Sequence, residues 1–373
     1  MLPITWFLRP RRLVFGAAVA GAVSLGLAYR FALQYRARVG LPHPGPVEGT
    51  PSDFGLAFEP VRIPSGAVEL SAWWIPPEAA PGQAQARPAV VIVHGWESNK
   101  GRSMAHARYL HAAGFGCLLI DVRGHGDNPT EVLAIEIPEF AADAAAAARW
   151  LAARPDVSAV GLLGHSMGGS GVIAAAASYP SVRSVVAMSS PSDLVRMTRK
   201  TFDMADVHVP GPVATPLAYL TAMVMLIPRR HSIDDADTCL AASRYEGPLL
   251  LLHGDDDHGV PPEHMDLIAE SARETRAAEG SAPVETMLVP GYGHRWLYEV
   301  PEVRRRVASF LARSLGGPVS PEEAGERAAA VQVDRPDNPT FGFGAAPAQA
   351  VAAAARDAAR RQARELASGR STS

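Results

Sequence analysis

Through the middle of the chain, short apolar runs alternate with longer segments of helical spacing, and glycine or proline punctuates the joins. Residues 89–93, 116–120, 160–163, 185–188, 249–252 and 284–289 read as strands. Residues 102–113, 138–153, 167–178 and 262–279 read as the helices between them, with 300–315 as the last helix. Strands that are apolar on both faces need a covering layer on each side, so the alternation predicts an α/β fold with a mostly parallel sheet. Residues 54–63 and 68–75 flank Pro64-Ser65-Gly66 and predict an antiparallel pair, with Trp73 and Trp74 on opposite faces.

The alternation stops between Asp193 and Glu246, where helical patches are broken by Pro210, Pro212, Pro216 and Pro228. An insertion after the sixth strand lies over the carboxyl edge, where open α/β sheets bind ligands, so residues 193–246 are expected to form a lid. Its stretch 213–227 is strongly apolar. That stretch reads equally as a helix packed on the core and as a lipid- or acyl-facing surface; Pro216 and its short length argue against a membrane span.

The two ends differ from this body. Residues 13–29 are uncharged, small and apolar, and follow Arg9, Arg11 and Arg12. As a helix they span about 25 Å, slightly less than the ~30 Å hydrocarbon core, and Phe31 to Leu33 extend them if Arg30 snorkels. Residues 1–40 are therefore expected to be a single membrane anchor. A signal peptide cleaved near Gly26-Leu27-Ala28 and a buried soluble helix are the competing readings. Three arginines on each side leave the charge rule almost balanced; the preferred orientation puts the N-terminus in the cytoplasm and the folded domain outside. Residues 41–52, rich in proline and glycine, read as a linker, 53–315 as the folded domain, and 316–373 as a mostly disordered tail rich in alanine and arginine.

A net charge of -3 offers no basic field for nucleic acid. Two cysteines, Cys117 and Cys239, cannot build a disulfide framework. Small neutral substrates fit this balance better than polyanions.

The chemistry sits at Gly164-His165-Ser166-Met167-Gly168, followed by Gly169, directly between the run 160–163 and the helix that starts near Met167. A serine hydroxyl is a poor nucleophile unless a tight strand-to-helix turn exposes it beside a base. Two partners follow in order. Asp257 lies just past the run 249–252 in His253-Gly254-Asp255-Asp256-Asp257, with Asp255 as the alternative acid. His294 lies in the glycine-bounded loop after the last strand, as Gly291-Tyr292-Gly293-His294. Ser166 is thus the candidate nucleophile, His294 the base and Asp257 the acid that orients it.

Together with Val93-His94-Gly95-Trp96 and the segment from Asp121 to Asp127, DVRGHGD, this motif resembles the α/β-hydrolase superfamily, most closely its bacterial esterase, lipase and serine-aminopeptidase-like branch. The resemblance covers about residues 53–315. It implies a mostly parallel eight-stranded sheet flanked by helices, an oxyanion hole in the His-Gly loop, and the order Ser, acid, His. The backbone N–H groups of Trp96 and Met167 are the candidate oxyanion donors, while His94, Gly95, Gly164, His165 and Gly168 shape the loops around them. Asp121, Arg123, His125 and Gly126 are expected to form a structural turn beside the site. No cofactor is implied, and no histidines stand at metal-ligand spacing.

Serine at the elbow argues against the carboxylate-nucleophile members of the superfamily. Cleavage of an ester or thioester of a small acyl substrate through an acyl-enzyme is favoured. A peptidase or amidase on the same triad stays open, as does a catalytically inert, membrane-tethered binding protein. Protein partners are not indicated, beyond a flexible tail that could serve one.

Overall fold

A computed structural model describes residues 10–43, 45–78, 86–204, 209–276 and 281–333. The eight strands are β1 (Glu59–Ser65), β2 (Val68–Ile75), β3 (Arg87–Val93), β4 (Gly116–Ile120), β5 (Val157–His165), β6 (Val182–Met188), β7 (Leu249–Gly254) and β8 (Val284–Val289). They form one sheet in the order β1-β2-β4-β3-β5-β6-β7-β8. β2 is antiparallel to both of its neighbours, and from β4 to β8 every pairing is parallel. In β3 to β7 the cores are buried along their whole length, as a sheet covered on both faces requires.

The covering helices are α2 (Met104–Ala112), α3 (Ile137–Ala152), α4 (Met167–Ser178), α8 (Glu263–Glu274) and α9 (Pro301–Leu315). Trp74 belongs to the hydrophobic core shared with α3 and α4, and Trp73 to the core shared with α2 and α9. The two tryptophans therefore face opposite sides of β2, as the alternation predicts.

Three expectations are corrected. The first strand begins at Glu59 rather than at 54, because Pro51–Phe54 turns as a 3-10 helix closed by reciprocal Thr50 and Asp53 capping bonds. Residues 41–52 are no loose tether. Asn99 Nδ2 donates to the carbonyls of Pro46 (3.1 Å) and Gly45 (3.3 Å), and the Ile135 N–H donates to Gly40. Finally, the fold continues past 315. α10 (Pro321–Ala330) packs on α9, burying Ala324 and Ala328, and the buried Arg304 donates to the carbonyls of Ala328 (3.1 Å) and Ala329 (2.8 Å) at the α10 C-terminus. Residues 1–9 of the expected anchor and 334–373 of the expected tail lie outside the described residues.

α1 (Pro10–Val39) has two halves of different character. Val14, Phe15, Leu25 and Leu27 are exposed, whereas Phe31 and Tyr35 stack edge-on against Phe202 of α5 (Leu194–Met204), with ring centroids 5.7 and 5.5 Å away. α1 also packs on α6 (Gly211–Leu226), the apolar helix of the insertion, which ends with α7 (Thr238–Arg244). Among the described residues, Val14–Arg36 and Gly211–Arg229 are long and apolar enough to cross a membrane. The second is partly buried against the fold.

The turn after β4 is fastened from within. Lys100, wholly buried, places Nζ 2.5 Å from Asp121 and 2.5 Å from Asp127, while its own N–H donates to Asp121 at 2.7 Å. Gly126, at φ 54°, comes so close to Asp121 that an added Cβ would lie 2.2 Å from the carboxyl carbon. Replacing Lys100 by Met leaves a buried carboxylate without its cation. Urea unfolding should show a loss of about 3–5 kcal/mol; a loss below about 1 kcal/mol would mean the pair does not hold this turn.

Candidate active site

β5 ends at His165 and α4 begins at Met167, so a single residue turns the chain. That residue, Ser166, has φ 56° and ψ -125°, a strained conformation for any residue with a Cβ. Bonds on both sides hold it there: its N–H donates to Met188 (2.8 Å), and its carbonyl accepts from Gly169 (2.8 Å) and Ser170 (3.2 Å). The flanking glycines are required by contact. A Cβ on Gly164 would lie 2.2 Å from the Gly168 carbonyl oxygen, and one on Gly168 would lie 2.3 Å from that of His94.

Two loops past the ends of β7 and β8 bring the partners. Ser166 Oγ stands 3.0 Å from His294 Nε2, and His294 Nδ1 stands 2.7 Å from Asp257 Oδ2. Asp257 is buried, with Oδ1 accepting from the N–H groups of Gly259 and Val260, each at 2.9 Å. Burial would raise its pKa, but hydrogen bonds from His253 and His294 outweigh this and hold the carboxyl well below the usual carboxylate range. Asp255, the alternative acid, turns away and accepts from the Gly291 N–H at 2.7 Å. It ties the two loops together instead. At Gly254 they approach so closely that a Cβ would lie 2.1 Å from the Tyr292 carbonyl oxygen.

The supporting histidines are structural donors. His94 Nδ1 donates to the Gly95 carbonyl (2.7 Å) and Nε2 accepts from the Val122 N–H (3.1 Å), which fixes the loop that carries Trp96. His165 Nε2 donates to the carbonyl of His294 at 2.7 Å, and the two rings lie 4.9 Å apart. Burial lowers the pKa of His94 to about 4 and that of His165 to about 3, so both are neutral near pH 7. Gly95 packs against Ser166, where a Cβ would meet the serine Cβ at 3.1 Å. Trp96 lines the cleft, edge-on to His125 at 5.4 Å, and Met167 N–H opens α4 beside Ser166.

Three contributors went unassigned in the sequence. His253 Nε2 lies 3.3 Å from Asp257 Oδ2 and 2.7 Å from the Val260 carbonyl, bracing the acid from behind. Its place at the end of an apolar strand gave it no more signal than the other histidines. Arg102 and Arg295 line the cleft beside Ser166, and nothing in the hydrophobic pattern distinguishes them from solvated arginines. Among the described residues, no group of three or more His, Cys, Asp or Glu could hold a metal.

This geometry agrees with what the chain is similar to. Residues 84–210 match the family described as serine aminopeptidase, S33. An uncharacterized protein of Mycobacterium tuberculosis is 26% identical over 279 residues, covering 74% of this chain and 86% of the relative. The thermostable monoacylglycerol lipase of Bacillus sp. (strain H-257) is 24% identical over 255 residues, 64% of this chain and 96% of the lipase. Among solved structures, the Pyrococcus furiosus esterase Pf2001 superposes with a TM-score of 0.57 at 21% identity, covering 74% of this chain and 97% of the esterase. With its mostly parallel eight-stranded sheet, its flanking helices and a serine on the turn after β5, the chain has the α/β-hydrolase fold.

Proposed function

We propose that the protein is a serine esterase acting through an acyl-enzyme on Ser166, His294 and Asp257. The observation that carries this reading is the unbroken hydrogen-bond chain from Ser166 Oγ through both nitrogens of His294 to Asp257. His294 Nε2 takes the hydroxyl proton as Ser166 Oγ attacks the acyl carbon, and returns it to the leaving alcohol. Asp257 stabilises the imidazolium that forms between these steps. Backbone N–H groups of Trp96 and Met167 receive the oxyanion. Water, deprotonated by His294, then cleaves the acyl-enzyme and restores Ser166.

Ester cleavage is favoured by the likeness to a monoacylglycerol lipase and by the apolar helix α6 in the insertion after β6. Amide cleavage is the second reading, because the matching family is described as an aminopeptidase. Turnover of p-nitrophenyl esters set against aminoacyl p-nitroanilides separates them: ester turnover at least about a hundredfold above amide turnover supports the first. The reverse order supports the second.

We further propose that α1 anchors the chain in a membrane as a single span, with the hydrolase domain on the extracytoplasmic side, and that α6 is a lid that receives acyl chains. Val213, Tyr219 and Ile227, about half exposed, give the insertion an apolar outer surface next to the anchor. Replacing all three by Ser should lower turnover of long-chain esters relative to butyrate esters by roughly tenfold. An unchanged chain-length profile would remove the lid from the account.

A further inference from the structure

Charge is segregated on the insertion side of the molecule. The whole chain has a net charge of -3, yet α1 contains no Asp or Glu and α6 contains no charged residue. α5 carries Arg196, Arg199 and Lys200, with Asp203 as its single acid. At spacings of three and four these cations share one face of the helix, and all three line one groove between α5 and the start of α8. Two acids answer part of this charge. Asp193 Oδ2 lies 3.0 Å from Arg196 Nε, and Glu263, exposed at the start of α8, lines the same groove. Arg199 and Lys200 make no salt bridge among the described residues.

Contacts fix where this face lies along α1. Tyr29 and Arg30 are exposed, and the next residue, Phe31, already stacks on Phe202 of α5. One helical turn on, Tyr35 stacks on the same ring, and its hydroxyl bonds to the Thr201 hydroxyl. Thr201 and Phe202 directly follow Lys200. Four residues of helix rise about 6 Å, so the C-terminal end of α5 meets α1 within about one turn of the point where α1 joins the fold. With α1 in a bilayer, α5 therefore lies at headgroup depth. A basic face at that depth suits the phosphates of anionic lipids, whose attraction for cations reaches about 10 Å from the surface.

We propose that the α5 face docks the hydrolase domain on a bilayer containing anionic phospholipid, with Arg199 and Lys200 meeting headgroup phosphates beside the point where α1 leaves the membrane. This rests on the reading of α1 as a span. Docking through α5 also sets α6, which packs on both α1 and α5, close to the same bilayer.

The test reconstitutes full-length protein into liposomes of phosphatidylcholine, alone or with about one-third phosphatidylglycerol, each holding a headgroup spin-labelled lipid as quencher. A fluorophore at Tyr219→Cys on α6, in a Cys239→Ser background, reports how near the insertion lies to the surface. Each cation at an anionic surface favours docking by about fivefold, so wild type should be quenched at least about twofold more in the anionic liposomes. Salt at about half-molar should abolish the difference. Arg199→Gln/Lys200→Gln should abolish it too. Arg62→Gln/Arg183→Gln makes the same change in net charge on the outer strand β1 and at the end of β6 opposite α5, and should leave the difference intact. Unfolding midpoints near that of wild type show that both variants fold. Equal quenching in the two bilayers, or an anionic preference that survives Arg199→Gln/Lys200→Gln, overturns the proposal and assigns the face to another occupant, an acidic protein or a second copy. Alkaline carbonate extraction of the phosphatidylcholine liposomes judges the span separately. Release there overturns the span, while anionic liposomes that retain wild type but not Arg199→Gln/Lys200→Gln would keep the α5 surface.

Discussion

Ser166→Ala should lower kcat for a p-nitrophenyl ester by about 10⁴- to 10⁶-fold, because in the proposed mechanism all covalent chemistry passes through the hydroxyl that His294 Nε2 meets at 3.0 Å. Folding should survive the change. The Ser166 N–H and carbonyl bonds to Met188, Gly169 and Ser170 are made by backbone atoms, which Ala retains. Ser166→Gly should be equally inactive but more stable than Ser166→Ala by about 1 kcal/mol, since glycine adopts φ 56° without strain. Thermal unfolding of the pair measures that strain directly, and equal midpoints would show that the turn stores none.

Asp257→Asn should cost about 10³- to 10⁴-fold in kcat with KM little changed. An amide at this position can donate to His294 Nδ1, which would favour the tautomer with its proton on Nε2, and that nitrogen could then no longer accept the Ser166 proton. Asp255→Asn is the matched control, because its carboxylate meets the Gly291 N–H across the loops, away from His294, and should cost less than about tenfold. A pH signature accompanies the acid. The Asp257 carboxyl is held below its unfolded value of about 3.9, so its contribution to stability is complete above that pH and is lost as pH falls through the folded value. Stability of Asp257→Asn should therefore fall less steeply than that of wild type below about pH 4. Parallel acid profiles would mean that the carboxylate is not held by these bonds.

Much of this architecture is legible in the sequence where local chemistry and fold agree. β4, α4 and β8 have the bounds that their punctuation predicts, since glycine or proline marks at least one end of each. The strand, turn and helix around Ser166 are equally plain, because only glycine fits at positions 164 and 168. What is illegible depends on contacts distant in sequence. α10 lacks large apolar residues and reads as tail, yet alanines let it lie close on α9, where Gly325 sits against Arg305 and Ser309. Residues 41–52 read as linker because proline and glycine leave carbonyls unpaired; Asn99, about fifty residues on, supplies the donor. Asp255 and Asp257 cannot be separated by residue type. Only the approach of the two loops at Gly254 decides which of them faces His294.

The central claim is that Ser166 is an activated nucleophile, and reaction with a fluorophosphonate probe tests it most directly. Full-length protein in detergent should label once per chain, with the adduct on Ser166 by peptide mass spectrometry and none formed by His294→Ala. A well-folded wild type that stays unlabelled, or that labels at another residue, would contradict the account.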